Sequence, residues 1–306
     1  MKKLVNIKDI SHDEWLELRK KSIGGSEAGT VKGENPWGSE YGLYCLKKGL
    51  VKPIETTEAM RLGTDLEDYV AKRYVEKTGN EVRNDNFMYQ HDEYPFITAN
   101  LDRRIVGQNA GLECKTMSSF NGYDLANGEV PPHYFAQCQH YMMVMGFDYV
   151  DLAVMVFQRG VYVLHIERDD EYIKDLLDAE IDFWKNHIEA NVPPEVSDKD
   201  EDVIGEVYPT AEVGSEMEIS DELIEKYLEA SEQEKVWKDQ KKLYKNEITA
   251  LLGEKESGIG TEYSCTWKNQ TRHDFDTTRF KAEQPKLYKQ YVKESVNRTF
   301  RAKKNK

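Results

Sequence analysis

The chain has 306 residues, 39% of them hydrophobic and 11% aromatic, enough for one large domain or a domain with an appendage. Charged residues make up 32% and mean hydropathy is -0.74; no apolar run approaches the ~20 residues of a membrane span, and MKKLVNIKDI lacks the apolar stretch of a secretory signal. A net charge of -14 argues globally against a nucleic-acid partner, yet residues 264–306 hold twelve Lys/Arg against four Asp/Glu, behind a segment, 195–262, with eight against twenty.

Taken in order, the chain opens with a capping box, Ser11 with Glu14, and a helix that turns Trp15 and Leu18 toward a core. SIGGSEAG follows, a glycine loop whose backbone allows close approach. Asn35-Pro36-Trp37 reads as a turn with an exposed aromatic, and Ser39 caps a short helix ending at Gly49. A longer helix spans about Thr57 to Thr78, with Gly79 as its stop. Its inward stripe is Gly63, Glu67, Val70 and Tyr74. A carboxylate on that stripe must be paired, hydrogen-bonded or bound to metal, and Arg103 is the simplest structural partner.

Residues 97–116, ITANLDRRIVGQNAGLECKT, read as two strands joined by a glycine-rich turn. Glu113 and Lys115 then share one face and Cys114 takes the other. Asp102, on the first strand, comes alongside. Two carboxylates and an ammonium in one small space suit Mg2+ or Mn2+ and phosphodiester hydrolysis. The pattern D-x(10)-E-x-K is also common on solvated hairpins.

Ser118 to Val130 is a polar, turn-rich loop beside that hairpin. Pro131-Pro132 starts a helix ending at Gly146, with Tyr134, Gln137 and Tyr141 on one face. Gln137 reads either as a satisfied buried amide or as an amide aimed at a water. Two alternating strands, DYVDLAVMVF and VYVLHIER, extend the sheet, and a helix from about Asp169 to Ala190 closes the domain. Ser220 to Leu252 is a charged helix with a thin apolar seam. TEYSCTWKNQ as a strand, two helical pieces over 276–291 and VNRTFRAKKNK as a pairing strand complete the chain. The four cysteines are scattered without a C-x-x-C pair, which argues against zinc and iron–sulfur clusters and fits a reducing cytoplasm.

Several short signals now stand in order: RKKSIGGSEAG, NPWGS, RLGTDLE, NLD, LECK and YFAQCQHYMMV. Together they resemble the YqaJ-like viral recombinase family, the lambda-exonuclease-like branch of the PD-(D/E)XK nucleases, over about residues 11–190. The resemblance implies an α/β (α+β) fold with a restriction-endonuclease-like core, a mixed β-sheet flanked by helices. It implies a catalytic domain over 1–192; composition then gives a linker over 193–219, and the charged helix and basic end a helical extension with a basic tail over 220–306. Asp102 and Glu113 match the metal-binding acids, with the Cys114 carbonyl and Glu67 completing the set. Lys115 matches the catalytic lysine and Gln137 the glutamine near the nucleophile. Arg19 and Ser26 match positions holding a terminal phosphate. Asn100-Leu101 stand where the superfamily name has proline, and SSFNGYD after Lys115 holds no arginine.

The function so implied is a Mg2+-dependent deoxyribonuclease, with Mn2+ as a substitute. It would degrade linear duplex DNA 5′-to-3′ and leave 3′ single strands for a single-strand annealing recombinase. A ring-shaped homotrimer and a bacterial cytoplasmic setting, of phage or prophage origin, come with it. A structure-specific or nicking endonuclease on the same fold and a non-catalytic acidic interaction protein remain alternatives.

Overall fold

The computed structural model describes residues 1–119, 123–294 and 298–304, and the chain divides after Tyr208 into two compact units. The first begins with strand β1 (Lys2–Asn6) and helix α1 (His12–Lys20). Ser11 Oγ accepts from the Glu14 backbone N–H, and Glu14 reaches back to the Ser11 N–H, so the capping box forms. Trp15 and Leu18 are only half-buried, and α1 buries no residue fully. Strand β2 (Ile23–Gly24) leads into α2 (Gly25–Val31) and α3 (Glu40–Lys47), and then α4 (Glu58–Thr78) ends on Gly79 at φ 75°. Strands β3 (Val82–Asn84), β4 (Phe87–Gln90), β5 (Ile97–Asn100), β6 (Arg103–Ile105) and β7 (Ala110–Met117) follow. Helix α5 (Pro132–Met145), strands β8 (Tyr149–Val156) and β9 (Gly160–Glu167), and helix α6 (Asp170–Asp182) complete the layers. A π-helical stretch, Phe183–Glu189, continues α6.

The strands form two sheets, in the orders β1-β4-β5-β2 and β3-β6-β7-β8-β9. Both are mixed: β2 runs parallel to β5, β7 runs parallel to β8, and the remaining pairs are antiparallel. The expected first strand of the hairpin is broken. It is β5 in one sheet and β6 in the other, with Leu101 and Asp102 between them. The facing arm of the hairpin breaks at Asp85-Asn86, between β3 and β4. One long hairpin therefore bends from one sheet into the other, and Asp102 lies at the bend rather than within a strand.

Helices α4 and α5 cover opposite faces of the five-stranded sheet. Val70, Ala71 and Tyr74 of α4 pack on Leu112 and Ala153. Cys138, Tyr141, Met142 and Met145 of α5 pack on Val150, Leu152 and Val154. Successive residues of one strand face opposite sides, so β7 and β8 feed both clusters. Helix α2 lies directly on α5 because Gly25 and Gly29 carry no side chain. A Cβ at Gly25 would sit 2.6 Å from the Tyr141 ring, and one at Gly29 would sit 2.8 Å from the His133 Cα.

The expected linker over 193–219 is folded in its first half. Helix α7 (Glu201–Val207) packs on α3, and the fully buried Asp200 binds Ser39 Oγ and the Ser197 N–H. A buried carboxylate with such donors fixes the segment as firmly as a core side chain does. The second unit, 209–306, contains α8 (Asp221–Leu252), a short hairpin of β10 (Ser257–Ile259) and β11 (Ser264–Thr266), α9 (Thr277–Glu283) and α10 (Pro285–Tyr291). Leu252 is the one buried residue of α8. The pairing strand expected at the C-terminus does not form over 298–304, where the chain is irregular. Parts of that strand and of the loop Ser118–Val130 lie outside the described residues. Among the described residues, no helix is long and apolar enough to cross a membrane.

Candidate active site

Strand β7 lies between β6 and β8, and its residue parity sets the site. Leu112 and Cys114 face α4, whereas Glu113 and Lys115 face α5. Glu113 is 3% exposed. Its Oε1 accepts from Lys115 Nζ at 2.6 Å and from Gln137 Nε2 at 2.6 Å. Gln137 is itself placed by the Tyr141 hydroxyl, 2.7 Å away. Glu113 Oε2 is buried and has no hydrogen-bond partner. The Lys115 ammonium stands 5.4 Å from the Tyr134 ring centroid, within cation–π range.

Asp102 comes to the same place from the bend. Its Oδ2 accepts the Cys114 N–H at 2.8 Å, beyond the point where β6 pairs with β7. Burial, then the charges of Glu113 and Glu67, push its carboxyl well above the ordinary 3.8, outweighing Lys115 and the Cys114 N–H. The Lys115 ammonium moves up in turn. Burial opposes this, but Glu113 and Asp102 more than offset it.

Glu67 is half-buried on α4 and faces the same cavity. Its Oε1 is held by Arg103 Nη1, and Arg103 also reaches Asp68 at 2.5 Å and the Asp102 carbonyl at 2.8 Å. The simple structural partner is therefore real, and Glu67 contributes to the site from an arm that Arg103 already grips. Among the described residues, no three His, Cys, Asp or Glu side chains are arranged as a ready cage for an ion. The donor set is instead the carboxylates of Asp102 and Glu113, which line one cavity, the second with an orphaned oxygen. That fits a hard cation that retains several waters, as Mg2+ does.

A cavity of about 1070 Å³ joins these groups, lined by Asp102, Glu113, Lys115 and Glu67, with Arg19 and Trp37 across from them in its wall. Arg19 donates to Ser26 Oγ at 2.8 Å and to Glu27 at 3.1 Å, and its guanidinium lies 4.9 Å from the Trp15 ring centroid. Ser26 is joined to Arg19 but is not part of the cavity wall.

Sequence reasoning missed what holds Arg19. Lys47 is buried and donates to the Arg19 carbonyl at 2.6 Å, the Ser22 carbonyl at 2.5 Å and Glu27 Oε2 at 2.7 Å. A signal existed: Lys47 falls three and four residues after the buried Tyr44 and Leu43 on the apolar face of α3. Trp37, read as an exposed aromatic and 68% exposed, and Tyr134, read on the Gln137 face and lying over Lys115, have no place in the site by sequence, yet both line its wall.

The YqaJ-like viral recombinase domain matches residues 14–148, which include every candidate site residue. The uncharacterized protein YqaJ of Bacillus subtilis (strain 168) is 35% identical over 300 residues, 95% of this chain and 94% of that protein. The crystal structure of an alkaline exonuclease (LHK-Exo) from Laribacter hongkongensis matches with a TM-score of 0.50 and 22% identity, over 59% of this chain and 94% of that one. The same exonuclease in complex with dAMP matches equally. The fold of the first unit is thus that of the lambda-exonuclease-like nucleases. With a full-length relative at 35% identity and the domain match on the same residues, this chain belongs to the YqaJ-like viral recombinase family.

Proposed function

We propose that the first unit is a Mg2+-dependent deoxyribonuclease that degrades linear duplex DNA from its 5′ ends and leaves 3′ single strands. The observation that carries this reading is the buried, unpartnered Glu113 Oε2 in a cavity shared with Asp102 and Lys115. A buried acceptor without a donor costs about 1–3 kcal/mol, and a cation is the partner that the surrounding carboxylates favour. Asp102, Glu113 and the Cys114 carbonyl would hold the ion, with Glu67 assisting. When bound, Mg2+ or Mn2+ supplies Lewis-acid polarisation of the scissile phosphate and charge for the leaving oxygen.

The protein's own groups do the rest. Lys115 carries its positive charge at neutral pH and lies at the cavity wall, where it can orient a water or offset phosphate charge. Gln137 fixes Glu113 from the α5 side and leaves its second oxygen free. Arg19, presented by the Lys47 clamp, binds the phosphate beside the cut, with Ser26 fixing the guanidinium. The product strand would pass to a single-strand annealing protein, and a homotrimeric ring would keep the enzyme on its track.

The test is one gel series with 5′- and 3′-labelled linear duplex, in Mg2+ or in EDTA. Release of 5′ label with Mg2+ alone is expected. Release of 3′ label first would reverse the polarity, and cutting of closed circular DNA would replace the exonuclease reading with an endonuclease. Degradation by Asp102→Ala or Lys115→Ala would overturn the site.

A further inference from the structure

The second unit holds a groove that the chemistry of the first does not use. On α8, residues 237, 241, 244, 245, 248 and 252 share one face by helical spacing. Residues 265–267 lie against that face and close it into a groove of about 460 Å³. Its floor is apolar, from Ile248, Leu252 and Cys265. Three rings stand on its rim, Trp237, Tyr244 and Trp267, which are 66%, 54% and 52% exposed.

Between the rings are Lys241 and Lys245. No residue lining the groove carries a carboxylate. Among the described residues the nearby acid Glu234, one turn earlier, is taken by Lys238 at 2.6 Å, and neither Lys241 nor Lys245 has such a partner. Glu254 and Glu256 line a separate hollow past Trp267.

This chemistry fits one occupant better than others. A second copy of α8 packed along the same face would set lysine against lysine. A duplex hides the faces of its bases and offers the rings nothing to stack on. A single strand presents flat base faces to aromatic rings and phosphates to ammonium groups at once. Two turns of helix separate Trp237 from Tyr244, roughly 10 Å, room for successive bases.

We propose that this groove binds single-stranded DNA, with bases on Trp237, Tyr244 and Trp267 and phosphates on Lys241 and Lys245. The binding mode rests on the groove's own residues; the choice of DNA over RNA rests on the function proposed for the first unit.

The test titrates the full chain, in EDTA so that no strand is cut, with labelled oligothymidylate, oligouridylate and blunt duplex. Anisotropy and tryptophan emission are read together. Oligothymidylate binding with quenched emission is expected. Trp237→Ala with Trp267→Ala should weaken it by about tenfold or more. Lys241→Glu with Lys245→Glu should weaken it similarly and flatten its salt dependence. Lys235→Glu with Lys242→Glu, the same charge change on the back of α8, should leave affinity within about twofold. Far-UV spectra confirm that each variant is folded. Unchanged affinity in both groove variants would overturn the proposal, as would equal weakening of blunt duplex. Tighter binding of oligouridylate would overturn the choice of DNA. A wild-type dimer that the groove variants split, with DNA affinity unchanged, would make the groove a self-association surface instead. These outcomes separate from those of the proposed cleavage, which requires Mg2+ and Asp102.

Discussion

Gln137 donates its amide to the same Glu113 oxygen that Lys115 holds, both at 2.6 Å, so two donors serve Oε1 and none serves Oε2. Under the proposed function, that second oxygen is the one a cation would take. Asp102→Asn removes one of the repelling carboxylates, and its amide oxygen can still accept the Cys114 N–H. In EDTA this variant should be more stable by about 1 kcal/mol, a rise of roughly 2–4 °C in Tm. It should cleave nothing. Added Mg2+ should raise Tm of the wild type and leave Asp102→Asn unmoved. Thermal melts with and without Mg2+ check all three statements.

The close approach of α2 to α5 makes two glycines separable by experiment. Gly29→Ala drives a Cβ into the His133 backbone, which has little freedom to move. Gly25→Ala meets the ring of Tyr141, the residue that places Gln137. Each should cost about 1–3 kcal/mol in urea unfolding. Gly29→Ala should lose more stability. Gly25→Ala should lose more kcat than its stability loss accounts for.

Lys47 predicts a stability effect and its pH dependence. Lys47→Met takes the nearest cation from buried Glu27, leaving it Arg19 and the Gly24 N–H, and strips two carbonyls of a donor, at a cost of about 3–5 kcal/mol. Adding Glu27→Gln should recover part of that loss. Burial by itself would raise the Glu27 carboxyl, but Lys47 and Arg19 hold it below the ordinary 4.5. A depressed folded value means the pair's contribution is complete above 4.5 and disappears as pH falls through the folded value. Unfolding of wild type and Glu27→Gln across that acid range should converge.

A second buried pair should behave in the opposite sense. His140 Nδ1 lies 2.7 Å from Glu180 Oε1, and its Nε2 lies 2.8 Å from the Thr98 carbonyl. Burial alone would lower the imidazole; the Glu180 charge, its hydrogen bond and the carbonyl raise it above 6.5. Its contribution is therefore complete below 6.5 and lost as pH rises through the folded value. The stability gap between wild type and His140→Gln should be widest at mildly acidic pH and narrow as pH rises.

Much of this site is readable from local rules. Pro132 at the start and Gly146 at φ 68° bound α5 as the sequence implies, and period two places Glu113 and Lys115 together. The Ser11–Glu14 box needs only four residues. What local rules cannot supply are partners chosen across the chain. Arg103 meets Glu67 36 positions away, and Lys47 meets Glu27 20 positions away. Asp102 reads as a strand residue because the break beside it is set by which sheet each arm joins. The segment 193–208 reads as linker because its anchor, Asp200, looks like one more acid in an acidic run. The C-terminal run reads as a pairing strand, but over 298–304 the chain is irregular.

The bend in the long hairpin has a mechanical meaning. Asp102 rides on the elbow, while Glu113 belongs to the five-stranded sheet, so the gap between the two carboxylates depends on the angle between the sheets. Across the elbow, the Asp85 N–H lies 3.4 Å from the Asp102 carbonyl. Asp85 is braced in turn by Tyr89 at 2.9 Å and Arg104 at 2.5 Å. The position of Asp102 relative to Glu113 is thus set from behind, by a bracket that touches neither carboxylate.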